Sequence, residues 1–181
     1  MAAIGRGDAA ALRSLVEKHQ HAVLGTIAKM TGRIDDAEDL AQQVFVRVWK
    51  SAPRYQPSAK FTTWLFTIVR NLVFNEARRA YRKQEVSMDA HAEATHSEEP
   101  DRTGLTPEQI LLHRELSDAA DAAIASLPEP QRMAVLLRRF ENMPYEEIAD
   151  ILDTTVPAVK SLLFRARGTL RESLGRYLDD K

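Results

Sequence analysis

The chain has 181 residues, with 25 Lys and Arg against 26 Asp and Glu, and a formal net charge of −1 at pH 7. With 44% hydrophobic residues it has enough apolar material for a packed core, which excludes wholesale disorder, and with no cysteine it can hold neither a disulfide framework, a thiolate nucleophile nor a Cys-ligated zinc. No basic-then-apolar leader opens the chain and no run approaches ~18 consecutive apolar residues, so neither signal peptide nor membrane insertion is expected and the predicted location is cytoplasmic.

The neutral charge sum argues at first sight against nucleic acid, but it conceals three unequal terms. Residues 1–86 hold 14 basic and 8 acidic side chains, a net of +6; residues 87–107 hold 1 and 5, a net of −4; residues 108–181 hold 10 and 13, a net of −3. The middle stretch is poor in large apolar residues and has no helical period, so it reads as a flexible acidic linker over 87–106 between two folded pieces, 1–86 and 107–181.

Helix signals are dense and strand signals nearly absent. Asp8 is placed to cap a helix running to about Met30, with Gly32 as its stop. Asp35 is placed to cap a second helix ending before Pro53. A third begins near Thr62 and continues to about Glu85. Beyond the linker, Thr106-Pro107-Glu108-Gln109 is a capping box that opens a helix to about Ser126. Pro130, Pro144 and Pro157 then start helices reaching about Glu141, Leu152 and Leu178. The predicted fold is all-α: two small helical domains, the second containing a helix-turn-helix.

That motif lies in Tyr145–Leu162. Ile148, Ala149 and Leu152 face inward on its first helix, Asp153-Thr154-Thr155 form the turn, and Val159 and Leu162 lie on its second helix. Asp153 occupies a position suited to left-handed backbone, which Asp tolerates better than most residues. At about 100° per residue, Val159, Leu163, Ala166, Leu170 and Leu174 form a core stripe on the last helix. The opposite side carries Lys160, Ser161, Phe164, Arg165 and Arg171. These residue types hold phosphates or read base edges, and an exposed Phe meets a thymine methyl. An ordinary amphipathic helix with a solvated basic face has the same periodicity; the turn before it favours DNA.

The helix after Asp35 offers a second surface. Ala37, Leu40, Ala41, Val44, Phe45 and Val48 share its core side, while Asp35, Glu38, Asp39, Gln42, Val46 and Trp49 lie along the other. Acids in the first turn complement the helix dipole, which leaves Val46 and Trp49 unexplained. An amphipathic contact with a basic protein partner explains them; the alternative is Trp49 packed under a loop.

A third surface follows the polar loop Arg54–Phe61. Trp64, Leu65, Ile68, Val69 and Leu72 form the core side of the helix, and Thr67, Arg70, Asn71, Phe74, Asn75, Arg78 and Tyr81 lie away from it. Aromatic rings among cations and amides suit single-stranded nucleic acid, where bases stack and cations track phosphates, and the loop offers a pocket for an extruded base. A solvated basic helix with Phe74 and Tyr81 buried against the first helix fits the same pattern.

Four blocks in order, DAEDLAQQVFVRVWKS, FTTWLFTIVRNLVFNEARR, LPEPQRMAVLLRRFENMPYEEIADIL and VPAVKSLLFRARGTLRE, resemble the bacterial sigma-70 family, specifically the extracytoplasmic-function (ECF) group of RNA polymerase sigma factors. The resemblance covers nearly the whole chain except the linker. It implies a region-2-like domain over 1–86, in which Asp35, Glu38, Asp39, Gln42, Val46 and Trp49 meet the clamp helices of the polymerase β′ subunit. Lys60, Phe61, Asn71, Asn75 and Arg78 would melt and hold the single-stranded non-template minus-ten element. In a region-4-like domain over 107–181, Lys160, Ser161, Phe164 and Arg165 would meet double-stranded minus-thirty-five DNA, with Arg167 and Arg171 on its backbone. The β subunit and an anti-sigma factor are further implied partners. Pro157, Leu162, Pro144 and Asn75 depart from residues the family often has there, so no relative's promoter sequence is carried over.

Two competitors remain. A stand-alone helix-turn-helix regulator predicts a dimerisation surface or ligand pocket in residues 1–86 and leaves Gln42, Val46 and Trp49 unused. An enzyme, such as a small helical nuclease, would need a reactive set. His19, His21, His91, His96 and His113 are scattered, and no phosphate loop or nucleophile motif is present. No enzymatic activity, no metal and no cofactor are expected.

Overall fold

Asp8 starts the first long helix by accepting hydrogen bonds from the Ala10 and Ala11 amides at 2.9 and 3.0 Å, satisfying two of the donors a helix leaves open at its N-terminus. In the computed structural model, which describes residues 1–84 and 106–175, that helix is α2 (Ala9–Thr31), preceded by a short α1 (Ala2–Gly5). Gly32, at φ 72°, ends α2 in the left-handed conformation. α3 (Ile34–Ser51) and a 3-10 turn (Ala52–Arg54) lead through the loop to α4 (Phe61–Gln84). The second half holds α5 (Pro107–Ala125), α6 (Glu129–Arg139), α7 (Tyr145–Leu152) and α8 (Val156–Ser173). No strand occurs among the described residues.

The local signals mostly decide the boundaries. Thr106 and Gln109 form the reciprocal capping box, and Asp153 (φ 54°, ψ 55°) makes the left-handed turn between α7 and α8. Two starts differ from expectation. α3 begins at Ile34 with Arg33, not Asp35, at the cap position and no side-chain cap bond. The Thr31 hydroxyl donates to the Arg33 carbonyl at 3.1 Å and accepts from the Arg33 amide at 3.4 Å, bridging Gly32 at this start. α8 begins at Val156, capped by the Thr155 hydroxyl, so Pro157 sits one position inside the first turn. The expected linker lies outside the described residues except for Thr106, and so does the expected end of the last helix near Leu178.

Val23, Ile27, Leu40, Val44, Val48, Leu65 and Val69 form the core of the first half; Met133, Leu137, Ile148 and Val159 form that of the second. Each such side chain contributes about 1.5–3 kcal/mol by leaving water. The two sets are one continuous apolar cluster, because α4 packs on α7 and α2 packs on α5 and α6.

Polar contacts cross the same seam. Lys29 on α2 pairs with Asp121 on α5 at 2.7 Å, and Arg132 on α6 donates to the Met30 carbonyl at 2.7 Å. On the other side, Glu147 of α7 accepts from the buried Thr63 hydroxyl at 3.0 Å and pairs with Lys60 at 2.6 Å, while Arg70 Nε donates to the Ile151 carbonyl at 2.7 Å.

Candidate polymerase and nucleic-acid interfaces

α3 turns its apolar side, Ala37, Leu40, Ala41, Val44 and Val48, into the core. Glu38 and the run Asp39, Gln42, Val46 and Trp49, the latter spaced three or four residues apart, consequently form one exposed strip. Val46 is 50% and Trp49 36% exposed, unusual for large apolar side chains beside two acids. Asp35 falls in the first turn of α3, with its side chain outside the described set.

The expected minus-ten residues divide by environment. Asn71, Asn75 and Arg78 are exposed along one line of α4, and Asn71 Oδ1 accepts from Arg70 Nη1 at 2.8 Å. Lys60 is exposed at the head of the helix and held by Glu147. Phe61 is half-buried in a ring cluster. Its centroid lies 5.3 Å from His19, 5.8 Å from Trp64 and 6.3 Å from Tyr55, and Tyr55 meets Trp64 edge-on at 4.8 Å. Through Tyr55 and Phe61 the cluster joins the two ends of the loop Arg54–Phe61. Burial, and secondarily the Lys18 charge, lower the pKa of His19, favouring a neutral ring against Phe61. Tyr81 is exposed and Phe74 half-buried beneath the Arg70 guanidinium, so the alternative that buries both rings fails for Tyr81.

On α8, Val159 and Ala166 are buried and Leu162 and Leu163 half-buried, which turns Lys160, Ser161, Phe164 and Arg165 outward as the lining of one shallow concavity. Phe164 is 78% exposed. Arg165 Nε donates to the Ser161 carbonyl at 3.4 Å, and Arg167 and Arg171 are exposed on the next turns. No neighbouring acid side chain pairs with this face among the described contacts, so its charge is presented to solvent.

Sequence reasoning missed Thr63, Glu147, Ile151 and Arg132. A helix-turn-helix needs Ile148 and Ala149 inward, and those were legible. Ile151 is fully buried because α7 is covered on a second side by α4. The available signal was α7 itself, whose eight residues carry three isoleucine or leucine side chains around more than one face.

Among the described residues no group of three His, Asp or Glu stands close enough to hold a metal, and no helix is long and apolar enough to cross a membrane. Fold and surface define a helix-turn-helix protein of the nucleic-acid-binding class. Residues 15–83 match the model of Sigma-70 region 2, and residues 117–170 that of Sigma-70, region 4. The RNA polymerase sigma-H factor of Pseudomonas aeruginosa is 32% identical over 173 residues, 94% of this chain and 90% of the relative. The ECF RNA polymerase sigma-E factor of Escherichia coli K12 is 32% identical over 166 residues, 91% and 86% respectively. Two solved structures share the fold. The sigma factor RpoE of Bartonella quintana, determined with the anti-sigma factor NepR, has TM-score 0.72 and 24% identity, covering 90% of this chain and 96% of that one. CnrH, determined with the cytosolic domain of CnrY, has TM-score 0.69 and 23% identity, with 97% and 94% covered. The chain belongs to the sigma-70 family of RNA polymerase sigma factors, in its ECF group.

Proposed function

We propose that this sigma factor divides its work among three exposed strips. Glu38, Asp39, Gln42, Val46 and Trp49, with Asp35 at the start, bind the β′ clamp helices. Lys60, Asn71, Asn75 and Arg78 hold the melted minus-ten strand, with Phe61 supporting the loop beside it. Lys160, Ser161, Phe164 and Arg165 read the minus-thirty-five duplex, while Arg167 and Arg171 steady it through phosphates. Residues 1–86 and 107–181 are the corresponding functional units, joined by 87–106. The protein acts in the cytoplasm, catalyses no covalent step of its own, and is restrained by an anti-sigma factor, a reading supported by the anti-sigma factor bound to the similar RpoE of Bartonella quintana.

The observation that carries this reading is the placement of Phe164 between Lys160 and Arg165 on the exposed face of the second helix of the helix-turn-helix. An aromatic ring left in water among cations has a use at a base edge and none in the core. Extruding bases at the other element costs a few kcal/mol, which stacking and pocket contacts offset. Run-off transcription with core polymerase, with and without this chain, tests the reading. A promoter-specific transcript that needs the chain supports it. Tight promoter binding by the chain alone with no dependent transcript would favour a stand-alone regulator.

A further inference from the structure

We propose that the crevice between α2 and the end of α6 is a binding site for a small organic cation, a molecule with one ammonium group on a ring-sized apolar body, seated with its charge on Glu141. The site shares no residue with the three strips, and the proposal does not depend on their assignment.

The crevice has a volume of about 160 Å³, room for a single benzene-sized ring. Ala22, Leu136 and Phe140 make part of its lining apolar, while His21, Thr26, Lys29 and Glu141 supply polar groups. These polar groups are not equivalent. Lys29 Nζ lies 2.7 Å from Asp121 Oδ1 and 5.2 Å from the Phe140 ring centroid, so its charge is already balanced. His21 is exposed. Thr26 is only 3% exposed and its hydroxyl donates to Glu141. Glu141 has no basic partner among the described ion pairs. Burial raises its pKa, as expected of a carboxylate that has lost water without gaining a counter-charge. An ammonium in the crevice supplies that counter-charge through a charge-assisted hydrogen bond. Its apolar body meets Leu136 and Phe140, the latter a large ring left 48% exposed.

Gly25 supports the same reading from the other wall. It lies in the interior of the 23-residue α2, where glycine weakens a helix more than any residue but proline. Its backbone is not left-handed, and a Cβ there would meet nothing within 4 Å. Neither conformation nor helix packing therefore requires glycine. It also lines the crevice, so a long side chain at this position would take up the space in which a ligand sits.

The full chain titrated with benzylamine at neutral pH, followed by two-dimensional amide NMR, tests the proposal. Benzyl alcohol and benzoate, of similar size, serve as the neutral and anionic comparisons. Benzylamine should give saturable shifts centred on Gly25, Phe140 and Glu141, with a Kd on the order of 1 mM as suits so small a molecule. Benzyl alcohol should bind about tenfold more weakly, and benzoate not detectably. Glu141→Gln should weaken benzylamine about tenfold and leave benzyl alcohol unchanged. Gly25→Leu should abolish binding of both while unfolding at a temperature no lower than wild type, since leucine is the better helix former. Wild-type chain that shows no saturable benzylamine shifts, which needs no variant to observe, would overturn the proposal. So would equal affinity for the three probes, shifts centred instead on the acidic strip of α3, or undiminished benzylamine binding by folded Glu141→Gln. None of these outcomes depends on transcription, so they leave the sigma-factor reading of the three strips to its own test.

Discussion

Arg132 Nη1 donates to the Met30 carbonyl at 2.7 Å, and its Nη2 donates to the carbonyls of Leu127, at 3.0 Å, and Ala125. Met30 is in the last turn of α2, and Ala125 ends α5. One guanidinium therefore serves carbonyls that two helices leave without intrahelical partners, and its charge faces the negative ends of both dipoles. Burial lowers the Arg132 pKa and Glu129 acts in the opposite direction, but a guanidinium stays protonated throughout the working range. Arg132→Ala should cost about 2–4 kcal/mol, because it strands buried carbonyl acceptors and removes the charge facing two helix C-termini. Arg132→Lys should recover only part of this, since an ammonium lacks the planar fork that spans both helix ends. Urea unfolding of the full chain measures both. A lysine variant with the wild-type midpoint would show that charge alone suffices.

Gly5 sets a second, local constraint. A Cβ there would stand 2.9 Å from the Ala52 carbonyl oxygen and 3.3 Å from the Pro53 Cα, both backbone atoms of the 3-10 turn that leads into the minus-ten loop. Gly5→Ala should lower stability by about 1–3 kcal/mol through overpacking. Thermal unfolding checks this, and an unchanged midpoint would mean that α1 undocks without consequence.

The helix boundaries at Asp8, Gly32, Thr106 and Asp153 were legible because each rests on one side chain or one backbone conformation within a few residues. The strips on α3 and α8 were legible for a related reason: a helix with one apolar side must expose the other. The seam was not. Thr63, Arg70, Arg132 and Glu147 meet partners 81 to 102 residues away in the chain. Each is a common surface residue type, so nothing local distinguishes it from a solvated side chain.

Glu141, just beyond α6, lines a crevice with His21, Thr26, Lys29 and Phe140. Burial raises its pKa from the ordinary 4.5, opposed in part by a hydrogen bond from Thr26. Because the folded pKa lies above the unfolded one, the native state binds more protons between the two. The contribution of this group to stability is full below pH 4.5 and is lost as pH rises through the folded value. Glu141→Gln should therefore flatten that segment of the stability profile and stabilise the protein relative to wild type at neutral pH. Denaturant midpoints of both proteins across the acid and neutral range give the difference curve. A difference that does not change with pH would remove Glu141 as its source.

Trp49→Ala and Lys160→Ala test whether the strips act separately. Trp49 is a large, partly exposed aromatic at the end of the acidic strip, the kind of residue that dominates interfaces, and its truncation should weaken core-polymerase binding by about 2 kcal/mol. Lys160 belongs to the concave face of α8 and has no place in the α3 strip. Its loss should cost ~1–3 kcal/mol at one minus-thirty-five position if it meets a base edge, and should leave core binding unchanged. Fluorescence titration of core polymerase with each labelled full chain, followed by competition among promoters mutated at single positions, separates the two effects. Loss of core affinity in Lys160→Ala, or altered promoter choice in a Trp49→Ala holoenzyme assembled at saturating chain, would merge surfaces assigned here to different partners.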